Sequence, residues 1–385
     1  MGVKKKKILI TIDWFLPGTL SGGPVRSYAN LIDYLKEDFE FYIITRNTDY
    51  GSTEAYKGII PNTWVSFNES TKIYYISESK LNKAHLKSII SHLEFDIAFI
   101  NGIYSWYFSI LPIFILKKEH KPIIVSARGM LNSQAFSVKK KKKKVYLGIA
   151  RLLGIYKGVK FHATNRDEAK SIKAEVGSNA TVLVAPNLPR KFINQQVDKK
   201  LNSNPIRVVN IARIAIEKGT LTLLNALKEI TEPVVLDLYG PIYDEVYWDN
   251  CKAVIVGLPD YIKVTYKGVL ESEEVPSTLI NYDFFALLSE GENFGHAILE
   301  AFSAGLPVLI SNKTPWKNLE TQHLGWDINL KNKSEILNAL NAAIGMKSED
   351  YSKWSESAYQ HAKTFIEDPE LLEQNKALFL NPNNK

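Results

Sequence analysis

The sequence predicts an α/β protein built from two Rossmann-like domains, and three observations carry that prediction. Its 385 residues are too many for one ordinary hydrophobic core and suit two. At 45% hydrophobic and 23% charged, it has the composition of an ordered globular chain. Continuous Val- and Ile-rich runs alternate with amphipathic stretches from end to end, the pattern of parallel sheets covered by helices on both faces.

In the first half the strands expected are "ILITI" (8–12), "FYIIT" (41–45), "KIYYI" (72–76), "DIAFI" (96–100), "PIIVSA" (122–127) and "GVKFHAT" (158–164). In the second half they are "IRVVNIA" (206–212), "VVLDLYG" (234–240), "IKVTYKG" (262–268), "DFFALLS" (283–289) and "PVLIS" (307–311). The polar stretch "NQQVDKKLNSNPI" (194–206) is the best linker between the two series. The domains expected are therefore 1–195 and 196–366. A short amphipathic helix in 367–385, following a proline, comes after them. No internal repeat is present.

A single cysteine, Cys251, excludes an internal disulfide and suits a reducing cytoplasm. The start "MGVKKKKILITIDWF" has a basic run, but its apolar stretch is only "ILITI" before Asp13. That is too short for a signal core or a membrane span and reads as a first buried strand. Residues 1–200 carry 32 Lys and Arg against 16 Asp and Glu, whereas the remainder carries 16 against 25. The basic half should meet something anionic: nucleic acid, phospholipid or a phosphorylated substrate.

The stretch "SEGENFGHAILEAFSAGLPVLISN" (289–312) places two carboxylates in an otherwise apolar strand–helix–strand unit. Ligands of open α/β sheets sit beyond the carboxyl ends of the strands. Glu292 falls in the turn after "DFFALLS", at that end, and Glu300 about two turns into a helix starting near Phe294. Glu300 lies within "AILEAF", where an unpartnered carboxylate is costly, so it needs a ligand or a buried partner. The helix N-terminus welcomes an anion but contributes only ~0.3–1 kcal/mol. A diphosphate therefore needs cations too, and Arg213 and Lys218 in "NIARIAIEKG" (210–219) follow another strand's carboxyl end. Carboxylates accept paired sugar or ribose hydroxyls. An Arg–Lys pair neutralises a departing diphosphate without a metal. The sequence has no DxD motif and no Cys/His cluster at ligand spacing.

Glu292-x7-Glu300, together with Arg213 and Lys218 in "ARIAIEKG", resembles the large family 4 of retaining glycosyltransferases (GT4). The resemblance covers nearly the whole chain. "FHATNRDEAKSI" (161–172), "APNLP" (185–189) and "TPW" (314–316) resemble bacterial surface-polysaccharide members. It implies a GT-B fold, two Rossmann-like domains facing across a cleft, with the C-terminal helix placed to cross back to the first domain. It also implies site roles. Glu292 contacts the donor sugar's hydroxyls, Glu300 holds the ribose, and Arg213 and Lys218 grip the diphosphate. Backbone N–H groups of Asn293, Phe294 and Gly295 assist. The strand end "YKGVL" (266–270), with Lys267, borders the base. The donor implied is a UDP- or GDP-type nucleotide sugar, with no separate cofactor and no metal. His296 is open between packing and touching the donor; Trp316 and Trp326 read as packing.

In the first half, "LPGTLSGGPVRSYANL" (16–31) follows the first strand. Gly22 and Gly23 open a helix where backbone N–H groups can approach a phosphate. GxGxxG is absent, so a plain tight turn is the other reading. The resemblance places such a Gly-Gly loop near the donor phosphates and the acceptor. Arg26 is a candidate contact to either. "FINGIYSW" (99–106) and "SARGML" (126–131) each end a strand. Many family members carry histidine before glycine at these places, whereas Asn101 and Arg128 stand here. Arg128 either neutralises an acceptor phosphate or satisfies loop carbonyls.

Six consecutive lysines, Lys139 to Lys144, precede Val145, Tyr146, Leu147, Ile149, Leu152, Leu153 and Ile155 at partly helical spacing. Basic plus apolar reads as a membrane-surface element, each lysine contributing ~1 kcal/mol near an anionic leaflet. A solvated loop is the alternative. Nucleic acid is not expected, for want of an aromatic-interleaved basic motif. The expectation is a metal-independent, retaining hexosyltransferase acting in bacterial surface-polysaccharide biosynthesis. It would move sugar from a nucleotide donor to a glycan or polyprenyl-diphosphate-linked acceptor, in the cytoplasm at the inner face of the plasma membrane. Asn101 and Arg128 motivate a second reading, a non-catalytic nucleotide-sugar-binding subunit. A third, a sugar-nucleotide epimerase, lacks its carboxylate and histidine set here.

Overall fold

The computed structural model of the chain describes residues 4–131, 140–191, 199–201 and 205–380. The chain divides into two compact units, residues 1–188 with 369–385, and residues 189–368. The linker stretch 194–206 lies largely outside the described residues.

The first unit holds β1 (Lys6–Thr11), β2 (Phe39–Arg46), β3 (Trp64–Asn68), β4 (Thr71–Ile76), β5 (Ile97–Asn101), β6 (Ile123–Ser126), β7 (Lys160–Ala163) and β8 (Val182–Val184). They form one sheet in the order β3-β4-β2-β1-β5-β6-β7-β8, parallel except for β3. The second unit holds β9 (Ile206–Ile211), β10 (Val234–Tyr239), β11 (Ile262–Gly268), β12 (Phe284–Leu287), β13 (Val308–Ser311) and β14 (Gly325–Ile328). Its all-parallel sheet runs β11-β10-β9-β12-β13-β14. Three strands were not expected from the sequence: β3, β8 and β14. Each lies at a sheet edge, where one neighbour suffices and a long Val/Ile run is not needed.

Alternation along the central strands fills both faces of the second sheet. Val208, Phe284, Ala286 and Leu309 enter one core, while Val209, Phe285, Leu287 and Ile310 enter the other. The period of two turns each continuous apolar run into two buried faces.

In each sheet the strand order reverses once, between β1 and β5 and between β9 and β12. Helices leave on opposite faces at such a point, and the loops beyond the strands' carboxyl ends part to leave a crevice. Topology alone thus marks the loops after β1, β5, β9 and β12.

The last helix, Pro369–Leu380, belongs to the first unit. Phe379 is fully buried, 5.4 Å from the ring of Phe39 and 5.3 Å from that of Phe99. Asn375 donates to the Pro186 carbonyl at 2.9 Å, and Lys376 pairs with Asp38 at 3.1 Å.

Candidate functional site

In the second unit the loops after β9, β12 and β13 meet. The Glu290 amide donates to the Glu217 carbonyl at 2.9 Å, and the Glu292 amide to the Lys313 carbonyl at 3.3 Å. Gly219 makes the approach possible. It has φ +71, caps the helix Thr220–Leu227, and a Cβ there would fall 1.8 Å from the Leu288 carbonyl oxygen. Only glycine fits that backbone contact.

Across this junction Lys218 Nζ lies 2.6 Å from Glu292 Oε1, both side chains mostly sheltered. Arg213 Nη2 pairs with Glu217 Oε1 at 3.0 Å, and its guanidinium sits 5.0 Å from the centre of the Tyr243 ring. Arg213 Nε is buried without a hydrogen-bond partner. Two ion pairs, Lys218–Glu292 and Arg213–Glu217, thus involve the loop after β9 at the reversal point of the sheet, where hydroxyl-rich anions can be held by both charge signs.

The turn Asn293–Gly295 is fixed from behind. Trp316 Nε1 donates to the Phe294 carbonyl at 2.8 Å, and the Phe294 ring is core, 4.7 Å from the His296 ring. Gly295, at φ +82, caps a helix that starts at His296, later than the sequence suggested. Glu300 is consequently little more than one turn in, not two. Its partner is Arg190, a residue the sequence reading passed over: Arg190 Nε lies 3.7 Å from Glu300 Oε1. Arg190 Nη2 also donates to the Ser272 carbonyl and hydroxyl. The available signal was a pair of basic residues, Arg190 and Lys191, directly after "NLP" and ahead of the second sheet.

Lys267 stands apart from this group. It is on β11, two strands from β9, with Nζ 3.8 Å from Asp237 Oδ2. Asp237 is buried and also accepts from the Tyr282 hydroxyl at 2.8 Å. Trp326 packs on Trp354 at 4.7 Å, as its packing reading required.

In the first unit Gly22, at φ +76, caps the helix Gly23–Leu35, and a Cβ at either Gly22 or Gly23 would meet nothing within 4 Å. The loop leading to them is anchored. Asp49 Oδ2 accepts the amides of Thr19 at 2.9 Å and Leu20 at 3.2 Å, and the Tyr75 hydroxyl donates to the Leu16 carbonyl at 2.7 Å. Arg26 lies half-buried on that helix. Asn101 ends β5, 6% exposed, its Oδ1 buried without a partner.

Arg128 sits in the left-handed region at φ +50. Its guanidinium lies 4.5 Å from the Tyr28 ring centre and donates to Asn187 Oδ1, a side-chain oxygen rather than a loop carbonyl. Buried Glu168 straps the same loop. It accepts the Gly129 amide at 2.5 Å and, through its other oxygen, the Thr164 amide at 2.7 Å and hydroxyl at 2.6 Å. Beneath lies His162, fully enclosed. Nε2 is 2.8 Å from the Ala185 carbonyl and must donate, so Nδ1 accepts from Ser126 Oγ at 2.8 Å. Burial, and then the charge of Arg128, hold its pKa down to about 4.

Lys139 lies outside the described residues; Lys140 begins the helix Lys140–Leu152. Lys141, Lys142 and Lys144 are exposed, and Lys143 Nζ lies 5.7 Å from the Tyr104 ring centre. The apolar residues split. Leu147 and Ile155 are buried and the Tyr146 hydroxyl donates to the Ile103 carbonyl at 2.6 Å, while Val145, Ile149, Leu152 and Leu153 are exposed. Among the described residues no three or more His, Cys, Asp or Glu are grouped to hold a metal ion. No helix of the described residues is long and apolar enough to cross a membrane.

Residues 191–361, most of the second unit, match the protein family described as "Glycosyl transferases group 1". A stretch of 122 residues is 29% identical to sulfoquinovosyl transferase SQD2 of Arabidopsis thaliana. It spans 31% of this chain and 22% of that protein's length. Among solved structures, sucrose-phosphate synthase from Thermosynechococcus elongatus superposes with a TM-score of 0.71 at 14% identity, covering 98% of each chain. Anabaena Alr3699/HepE, solved in complex with UDP and glucose, superposes with a TM-score of 0.70 at 15% identity, covering 97% of this chain and 98% of that one. The fold is that of GT-B proteins, as the resemblance implied.

Proposed function

We propose that the protein is a retaining GT4 glycosyltransferase that takes a sugar from a nucleoside diphosphate, of the UDP or GDP type, without a metal ion. The observation that carries this reading is the Lys218–Glu292 pair at the β9/β12 reversal point, with Arg213 on the same loop after β9. Arg213 and Lys218 supply the positive charge that a leaving diphosphate needs. Glu292 supplies the acceptor for donor-sugar hydroxyls, with the backbone of Asn293, Phe294 and Gly295 beside it. In this reading Glu300 holds the ribose while Arg190 orients its carboxylate. Lys267 borders the base. Gly22, Gly23 and Arg26 serve the phosphates or the acceptor, and Asn101 and Arg128 the acceptor side.

The stereochemistry follows from which groups are on hand. Double displacement requires a carboxylate nucleophile at the anomeric carbon, and both motif glutamates are occupied by cations and suited to hydroxyls. Inversion calls for a general base on the acceptor side. Buried, neutral His162 donates to a carbonyl and does not offer one. A same-face displacement remains: the C–O bond to the diphosphate breaks, its oxygen takes the acceptor's proton, and the acceptor oxygen bonds from the face just vacated.

The acceptor in this reading is a glycan, lipid-linked through polyprenyl diphosphate, in bacterial surface-polysaccharide synthesis. Lys140–Lys144, with exposed Val145, Ile149, Leu152 and Leu153, would dock the first unit on an anionic inner membrane face. A second reading, a nucleotide-sugar-binding subunit without activity, is favoured by Arg128 being engaged with Tyr28 and Asn187. Incubating purified protein with UDP- and GDP-sugars in EDTA, and following the anomeric proton by NMR, separates the two. Transfer or hydrolysis with a retained anomer is expected. An inverted anomer, or an absolute need for Mg²⁺ or Mn²⁺, overturns the mechanism, and no turnover with any donor favours the binding subunit.

A further inference from the structure

We propose that Asp13, Trp14, Arg46 and Ser105 form a subsite for one sugar ring of the acceptor, a ring with neighbouring free hydroxyls. The inference rests on the glycosyltransferase reading above and adds to its acceptor side a place for a sugar ring.

These residues stand at the other reversal point, beyond the carboxyl ends of β1, β2 and β5. The Ser105 hydroxyl donates to Asp13 Oδ1 at 2.8 Å, and Arg46 Nε lies 3.9 Å from the same oxygen. The strand ends are locked together, since the Arg46 amide donates to the Asp13 carbonyl at 3.2 Å. The cluster is therefore preorganised by backbone rather than by loop chance. Arg46 Nη1 is held by Glu78 Oε2 at 2.9 Å, yet its Nε is buried without a hydrogen-bond partner. At 3.9 Å the Asp13–Arg46 contact is an ion pair left short of a hydrogen bond.

Burial raises the Asp13 carboxyl above its ordinary pKa, against the opposing pull of Ser105 and Arg46. Such a group gains from additional hydrogen-bond donors, and sugar hydroxyls are donors that also accept from Arg46. Beside it are aromatics. Trp14 is half-buried, edge-on to Tyr50 with centroids 4.8 Å apart, and 6.0 Å from the Arg46 guanidinium. Tyr50 is 41% exposed, and Trp106, next to Ser105, is 51% exposed. Aromatic surface with a few fixed polar groups is the make-up of a site for a small ligand with one apolar and one polar face, as a pyranose has. A structural ion pair would explain Arg46 but not exposed tryptophan and tyrosine at a strand-end crevice.

The test needs no donor and no turnover. Saturation-transfer NMR is run on the full chain with methyl glucoside, methyl galactoside, methyl mannoside and N-acetylglucosamine. At least one should receive transfer to its ring protons, undiminished in Glu292→Gln and cut at least threefold in Trp14→Ala and Asp13→Asn. Asp13→Asn keeps the shape of the side chain, so it decides the matter should Trp14→Ala fail to fold. Absence of transfer to all four sugars, or equal transfer in wild type and Asp13→Asn, overturns the inference. Loss of transfer in Glu292→Gln overturns it as well, placing the sugar in the second unit. Titration with UDP and GDP, a separate measurement, tells whether the glycosyltransferase reading itself stands.

Discussion

Lys218 Nζ lies 2.6 Å from Glu292 Oε1, two side chains 74 positions apart brought together by the loops after β9 and β12. The pair has a chemical consequence. On the proposed function, a diphosphate approaching Lys218 would compete with Glu292 for the ammonium, and the carboxylate it displaces would become available to sugar hydroxyls. Charge neutralisation and sugar recognition would then be coupled through one contact.

Glu292→Gln tests that coupling. The amide oxygen still accepts from Lys218, so the melting temperature should stay within a few degrees by calorimetry. The kcat should fall by ~10²-fold or more, the scale for losing a charged group aimed at the reacting centre. An unchanged kcat would remove Glu292 from the chemistry.

Gly219→Ala tests the scaffold of the pair. A Cβ 1.8 Å from the Leu288 carbonyl oxygen, at φ +71, forces backbone apart. We expect a loss of ~2 kcal/mol or more in urea unfolding, the range for strain at a special backbone site. A variant as stable as the wild type would show that the loops tolerate separation.

His162 predicts a pH dependence. The unfolded imidazole takes its proton near 6.5, the folded one only near 4. Between these values the unfolded state binds more protons, so the contribution is complete above 6.5 and is lost as the pH falls through 4. The full difference is about 3 kcal/mol. Melting temperatures from neutral to acid pH should fall more steeply for wild type than for His162→Gln, whose amide can still bond Ser126 and Ala185. Parallel curves would contradict the assignment.

The lysine helix gives a prediction outside the site. Replacing Lys140 to Lys144 by Gln should weaken sedimentation with phosphatidylglycerol–phosphatidylcholine vesicles, at ~1 kcal/mol per lysine, and leave UDP and GDP binding unchanged. Equal sedimentation of both proteins at low and moderate salt would reduce the run to a solvated face.

How far the sequence could be read depended on burial. Interior strands such as "VVLDLYG" and "DFFALLS" are buried on both faces and announce themselves as apolar runs, whereas β3 and β14 have one neighbour and no such run, and β8 is an edge strand of only three residues. Glu292 and Lys218 were legible because their spacing from strand ends is local information. Arg190 was not, because its meeting with Glu300 is made by tertiary packing across 110 positions of sequence. Asp13 and Arg46 were hidden for the same reason: each is an ordinary charged residue until parallel pairing of β1 with β2 brings them together. Leu147 and Leu152, alike in the sequence, are separated only by the helix face that packs inward.

The most direct test of the account is calorimetric titration of UDP and GDP, in EDTA, into wild type, Arg213→Ala, Lys218→Ala and Glu300→Ala. We predict that one nucleotide binds the wild type. Its affinity should fall at least tenfold in Arg213→Ala and Lys218→Ala, about 1.4 kcal/mol each, and measurably in Glu300→Ala. Binding of equal strength in Arg213→Ala and Lys218→Ala, or no binding of either nucleotide by the folded wild type, would contradict it.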